Sequence, residues 1–160
     1  MKTTPMTEDT SAPARWAIGA LDITDAFGRV VPISLRYNTG FMDAAVRASV
    51  QDCVTFFWRF EDDPLMGAGG PTPELEAGLA AMETALIAAI PSDGGSLVAV
   101  RLGNGMVEYA LAFFSEAAHE HFAENFEPPE AFFNKFAAQQ FGHGNEFWPE
   151  YLPKGFEAEG

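Results

Sequence analysis

No feature of this chain constrains its fold more than the dipeptide Asn104-Gly105. It stands between two runs of strand-forming residues, 96–103 and 106–114. A two-residue hairpin loop of type I′ needs positive φ at both central positions, which Asn and Gly tolerate best. The turn sets the register: 103 lies opposite 106, 102 opposite 107, and 101 opposite 108. Arg101 then faces Glu108, an oppositely charged pair on one face of the hairpin. Val98, Val100 and Leu102 meet Val107, Tyr109 and Leu111 on the other face, the expected core. Leu97, Ala99, Ala110 and Ala112 share the Arg101 face, and their small apolar side chains predict that it is partly covered too.

Elements on both sides extend the pattern. Residues 54–60 are apolar nearly throughout, as in a strand buried on both faces. Thr72-Pro73-Glu74 is a helix start: Thr72 caps, Pro73 is tolerated in the first turn, and Glu74 and Glu76 suit the positive end of the helix dipole. Leu75, Leu79, Met82, Leu86 and Ile90 form one apolar stripe. Pro91 and Asp93-Gly94-Gly95 end the helix. Ser115 caps a second helix, which turns Phe122 and Phe126 inward and stops at Pro128-Pro129. Residues 130–140 are ambiguous: Phe132, Phe133 and Phe136 allow a helix, while 136–141 equally fit a last strand. Residues 145–151 read as a closing helical turn.

From Val54 onward the order is β-α-β-β-α-β, that of a ferredoxin-like α+β domain with an antiparallel sheet and helices on one face. An extra N-terminal β-hairpin precedes it. Trp16, Ile18 and Leu21 open its first strand. Val31, Ile33, Leu35 and Tyr37 share one face of its second. Pro32 cannot donate a ladder hydrogen bond, which predicts an edge strand or a bulge there. Residues 42–49 read as a short helical turn. The second sheet face is expected to be covered by the hairpin, the C-terminal segment or a second subunit.

The chain has 160 residues, enough for one domain, expected over 14–153 between a disordered tail (1–13) and an acidic tail (154–160). Hydrophobic residues make up 48 %, so a core is affordable and wholesale disorder is excluded. The formal net charge is −14. That disfavours nucleic acid, which needs a basic surface, and anionic lipid. The single cysteine, Cys53, allows no intrachain disulfide, in keeping with a reducing compartment. No apolar signal segment and no stretch near 18 apolar residues is present, so a cytoplasmic location is expected.

Several stretches resemble a known family. Arg36-Tyr37-Asn38 closes an early strand. Residues 74–86 read Glu-x-x-x-x-Leu-x-x-Met-Glu-x-x-Leu. Gly105-x-x-Glu108-Tyr109 follows the turn, and Phe147-Trp148-x-x-Tyr151-Leu-Pro closes the ordered part. In order and spacing, over residues 16–153, these resemble the bacterial family called domain of unknown function 695. The chain departs from it before Trp148, where Glu146-Phe147 replaces an expected Asp-Pro. The resemblance implies no agreed activity. Some members are joined to a domain resembling an inhibitor of the major RNA-degrading endonuclease, which implies ribonuclease regulation by association only.

Catalytic constellations are scarce. His119 and His121 point about 200° apart on a helix and cannot share a metal, so both are read as solvated. His143, between two glycines, lacks a partner at a telling spacing. Glu61-Asp62-Asp63 reads as solubilising loop charge and lacks the ligand pattern of a calcium loop. Residues 67–70 are glycine-rich, but no lysine follows as in a phosphate loop. No Gly-x-Ser-x-Gly elbow occurs. Arg36 and Glu83 are charges in apolar surroundings, fit either for an ion pair or for lining a pocket. With Asn38, His143, Trp148 and Tyr151 they make up the candidate pocket residues; no catalytic residue, metal or cofactor is expected.

Phenylalanines crowd the last third, where residues 108–160 hold ten acids against Lys135 and Lys154. The expectation is a non-enzymatic, acidic interaction or regulatory protein, a homodimer with a basic protein partner. The alternative is a small-molecule binder or enzyme, with its pocket between sheet and helices or at a dimer interface.

Overall fold

Local chemistry places the helices where their caps begin. Thr72 Oγ1 accepts a hydrogen bond from the Leu75 amide (3.2 Å), and Ser115 Oγ from that of Ala118 (3.1 Å). Each satisfies an amide that the first turn would otherwise leave unpaired. In the computed structural model, which describes residues 16–24, 27–60, 66–67, 70–132, 134–142 and 147–153, these caps start α2 (Pro73–Ala89) and α3 (Glu116–Asn125). The expected tails, 1–13 and 154–160, lie outside the described residues.

The chain is mixed α/β. Strands β1 (Trp16–Thr24) and β2 (Val30–Asn38) lead through a 3-10 turn (Thr39–Met42) into α1 (Ala44–Ala48) and β3 (Asp52–Arg59). The two-residue strands β4 (Met66–Gly67) and β5 (Gly70–Pro71) pair with each other before α2. Strands β6 (Gly95–Gly103) and β7 (Met106–Phe113) precede α3, and β8 (Ala137–Gly142) and α4 (Trp148–Tyr151) close the fold. The main sheet has six strands in the order β1-β2-β6-β7-β3-β8, and every neighbouring pair is antiparallel. Asn104 and Gly105 have φ of 54° and 73°, and Gly103 pairs with Met106 as the turn requires.

Both faces of the sheet are covered over its central strands. On one, α2 and α3 bury Leu75, Met82, Leu86, Ala118 and Phe122 against Val54, Trp58, Val107, Tyr109 and Phe113. Each large aliphatic side chain taken fully out of water here contributes about 1.5–3 kcal/mol. On the other face, Phe41, Val50, Phe147, Trp148, Tyr151 and Leu152 pack on Leu35, Cys53, Val98, Ala110 and Ala112. So the connection after β2 and the C-terminal segment cover the second face, the latter being one of the three expected covers.

Two expectations about strand faces need correction. Val98 does not share the core face of Val100. The ladder slips between Leu97 and Ala99, which leaves Val98 as an extra residue. The bulge turns Leu97 toward the helices and Val98 toward the second layer, because side chains alternate with period two. Leu102, also assigned to the core, is 40 % exposed at the strand's end. Nor is β2 an edge strand: it lies between β1 and β6. Its ladder with β6 covers only Ser34 to Tyr37, so Pro32 sits where β2 has β1 alone as partner and needs no second donor.

In the ambiguous stretch, the alternative of a last strand over 136–141 matches β8. A 3-10 turn (Glu130–Phe132) buries Phe132, Asn134 takes a left-handed φ of 66°, and β8 then pairs with β3.

Candidate functional site

Arg36 and Glu83 meet. β2 presents Arg36 beside Val100 of β6, and the third turn of α2 presents Glu83. The guanidinium binds both carboxylate oxygens, with Nη1 to Oε2 at 3.0 Å. It also lies over the Trp16 ring at 5.2 Å. Below the pair is a small cavity of about 210 Å³, floored by Leu79, Val100, Val107 and Tyr109. The Tyr109 hydroxyl donates to the Leu79 carbonyl at 2.8 Å. Burial, then the Glu83 charge, raises this phenol above the usual tyrosine range. With its charge matched and its oxygens used, the pair is built to close the gap between α2 and the β1–β2 hairpin.

Asn38, Trp148 and Tyr151 are not brought together with Arg36 and Glu83. Asn38 is buried; its Oδ1 accepts from Gly40 (2.9 Å) and its Nδ2 donates to Ser96 Oγ (3.2 Å). It therefore caps the 3-10 turn and ties it to β6. Trp148 stacks on Phe41 with ring centroids 5.6 Å apart and belongs to the second core layer. Candidate His143 lies outside the described residues, as do Glu61-Asp62-Asp63.

Tyr151 is part of a polar network under α4. Its hydroxyl donates to Glu108 Oε1 at 2.7 Å, and its ring lies 5.5 Å below the Arg101 guanidinium. The Arg101–Glu108 pairing read from the turn is present, with Nε 3.6 Å from Oε2. Arg101 also reaches Glu150 at 3.4 Å. Burial, then the Glu108 charge, raises the Tyr151 phenol above the usual range. The neighbouring Thr55 hydroxyl opposes that rise but falls short of hydrogen-bond geometry and has no partner among the described residues.

The reading of His119 as solvated is overturned. His119 Nδ1 hydrogen-bonds Asp52 Oδ2, and the ring stacks on Phe113 at 4.7 Å, nearly parallel. Only 18 % of the side chain is exposed. The pair lines an open cleft of about 600 Å³ with Gln51, Glu116, Glu120 and Gln140. Glu116, His119, Glu120 and Ala123 follow helical spacing and share one face of α3, a signal the sequence does carry. Their partner Asp52 comes from the start of β3, which no local pattern announces. Cys53, next to Asp52, points into the second core, where burial and then the Asp52 charge push its thiol up to about 12. It is a poor nucleophile. Among the described residues no three His, Cys, Asp or Glu side chains could hold a metal ion.

The remaining feature is a surface. Large apolar side chains stand exposed on the β1–β2 hairpin: Ile18 at 78 %, Phe27 at 82 % and Val30 at 67 %. Strand β1 ends the sheet, and among the described residues no strand pairs with its outer edge. No helix among them is long and apolar enough to cross a membrane. Comparison of the chain with protein-family models, curated proteins and solved structures found no match.

Proposed function

We propose that this chain is a non-enzymatic, acidic protein-interaction domain that associates through its β1–β2 hairpin. The observation that carries this reading is the outer edge of β1: nine residues with one charge, Asp22, at the end of the sheet beside exposed Ile18. Unpaired N–H and C=O groups along such an edge are a template for another strand. The net charge of −14 favours basic partners and makes their capture sensitive to salt. The resemblance to domain of unknown function 695 adds a regulatory role by association only, with ribonuclease regulation as its nearest expectation, and the single cysteine fits a cytoplasmic location.

A ferredoxin-like core is the topology we favour. In its support, β6, β7, β3 and β8 are adjacent in that order, α2 joins β3 to β6, and α3 joins β7 to β8. The β1–β2 hairpin then extends that core beyond β6.

The test compares the chain with its Ala20→Lys variant, both immobilised at low salt and exposed to lysate. The reading requires either self-association or a retained protein that the variant loses. Neither being found would refute it. A second reading, a small-molecule site, rests on the Asp52–His119 pair. Polar ligands that raise the melting temperature of the chain but not of Asp52→Asn would support it.

A further inference from the structure

We infer that the outer edge of β1 is occupied by the same edge of a second copy of this chain, paired antiparallel about Ala20. The inference deepens the interaction reading and rests on it.

Among the described residues most of the usual protections of an edge strand are missing from β1, whose one charge is Asp22. It has no proline and no lysine, and its ladder with β2 runs without a register shift from Trp16 to Thr24. Where Gly19 turns its face outward, an added Cβ would meet nothing within 4 Å. An edge this long and apolar is an aggregation hazard unless something pairs with it.

Charge decides between occupants. A basic partner is drawn to the acids, and β1 offers it only Asp22. Two copies, each at −14, repel everywhere that acids face each other. Along β1 they can meet almost without charge.

Register then follows from overlap and from Asp22. Pairing about Ala20 uses all nine residues, and moving the axis by one residue loses two of them. It sets Asp22 opposite Ile18 of the other copy. The two Asp22 residues are then about 13 Å apart along the strands at roughly 3.3 Å per residue. That exceeds the screening length of about 8 Å at physiological salt. Pairing about Asp22 would set the two carboxylates face to face. About Ala20, small side chains meet on the two-fold axis, and the arrangement is isologous, as closed dimers require.

The register makes the test specific. Light scattering at high micromolar concentration should give twice the 17.3 kDa of one chain. Ala20→Cys should link to itself, directly or through a short bis-maleimide, because opposed Cβ atoms lie about 4.5–5.5 Å apart. Ile18→Cys should not form a disulfide with itself, its α-carbons being about 13 Å apart against a limit near 7 Å. Buried Cys53 stays silent in both. Ala20→Lys places like charges on the axis and should give monomers, whereas Ile18→Lys faces Asp22 and should remain dimeric.

A dimer in which Ala20→Cys fails to link, or which Ala20→Lys leaves intact, overturns this interface while self-association stands. A monomer whose β1 amides resist hydrogen exchange means that the chain covers its own edge, which also overturns it. A monomer that retains a partner lost in Ala20→Lys overturns the second copy and leaves the interaction reading standing. A monomer that retains none overturns both.

Discussion

Replacing Glu108 with Gln keeps the side chain's shape and removes its charge. Glu108 and Arg101 are each only 12 % exposed. Removing one partner of a buried ion pair costs about 3–5 kcal/mol, because the other charge is left without compensation. Two features reduce that here. Arg101 Nε has no hydrogen-bond partner among the described residues, so its attraction to Glu108 at 3.6 Å is Coulombic alone. The variant also keeps Glu150 at 3.4 Å and the Tyr151 ring at 5.5 Å. The expected loss is therefore about 2–3 kcal/mol. At roughly 2–4 °C per kcal/mol for a domain of this size, the melting temperature falls by about 4–12 °C. Arg101→Met should cost a similar amount, and the double variant less than the sum by about 1 kcal/mol or more. Urea unfolding of the four proteins at one protein concentration measures this coupling, the fixed concentration guarding against any shift from association. Additivity within about 0.5 kcal/mol would show that the pair is not coupled and would refute the reasoning.

Alkaline pH should destabilise the fold from about 9 upward. The Cys53 thiol, at about 12 when folded against an ordinary value of 9.0, keeps its proton in the native state after the unfolded chain has lost it. Its stabilising contribution is complete below pH 9 and is lost as pH rises toward 12, at about 1.4 kcal/mol per pH unit. The raised phenols of Tyr109 and Tyr151 add to the loss above pH 10. In Cys53→Ala the decline should begin later; an unchanged onset in unfolding curves against pH would refute the assignment. Gly78→Ala, which on an exposed helix would gain about 1 kcal/mol, should here lose about 1–3 kcal/mol. The new Cβ would come within 2.5 Å of the Phe132 ring, so an unfolding measurement needs only the sign. Gly105→Ala forces a side chain to φ +73° and should cost about 1–2 kcal/mol by the same assay.

What the sequence made legible was local. The Asn104-Gly105 turn, the caps at Thr72 and Ser115 and the stripe from Leu75 to Ile90 act within a few residues, and all are found as read. The Arg101–Glu108 pair followed because the turn transmits its register directly. The misses are long-range or depend on a single insertion. Nothing near Val98 announces a bulge, since both its neighbours are apolar and fit either layer. His119 is bound by a carboxylate 67 residues away, so its own helix spacing could not reveal the pair. Of the candidate pocket residues, Arg36 and Glu83 do meet, while Asn38, Trp148 and Tyr151 hold the second layer in place.

The position of β3 inside the sheet has a consequence in time. It is made third among the strands, yet its neighbours, β7 and β8, come seventh and eighth from the ribosome. Seventy-seven residues lie between Arg59 at its end and Ala137 at the start of β8. At ordinary rates of synthesis that interval is on the order of ten seconds. For that time a strand with Phe56, Phe57 and Trp58 in sequence has an open edge. The nascent chain, rather than the finished domain, is therefore the form most in need of a chaperone. Slowing translation between β3 and β8 should lower the yield of folded protein without changing its stability.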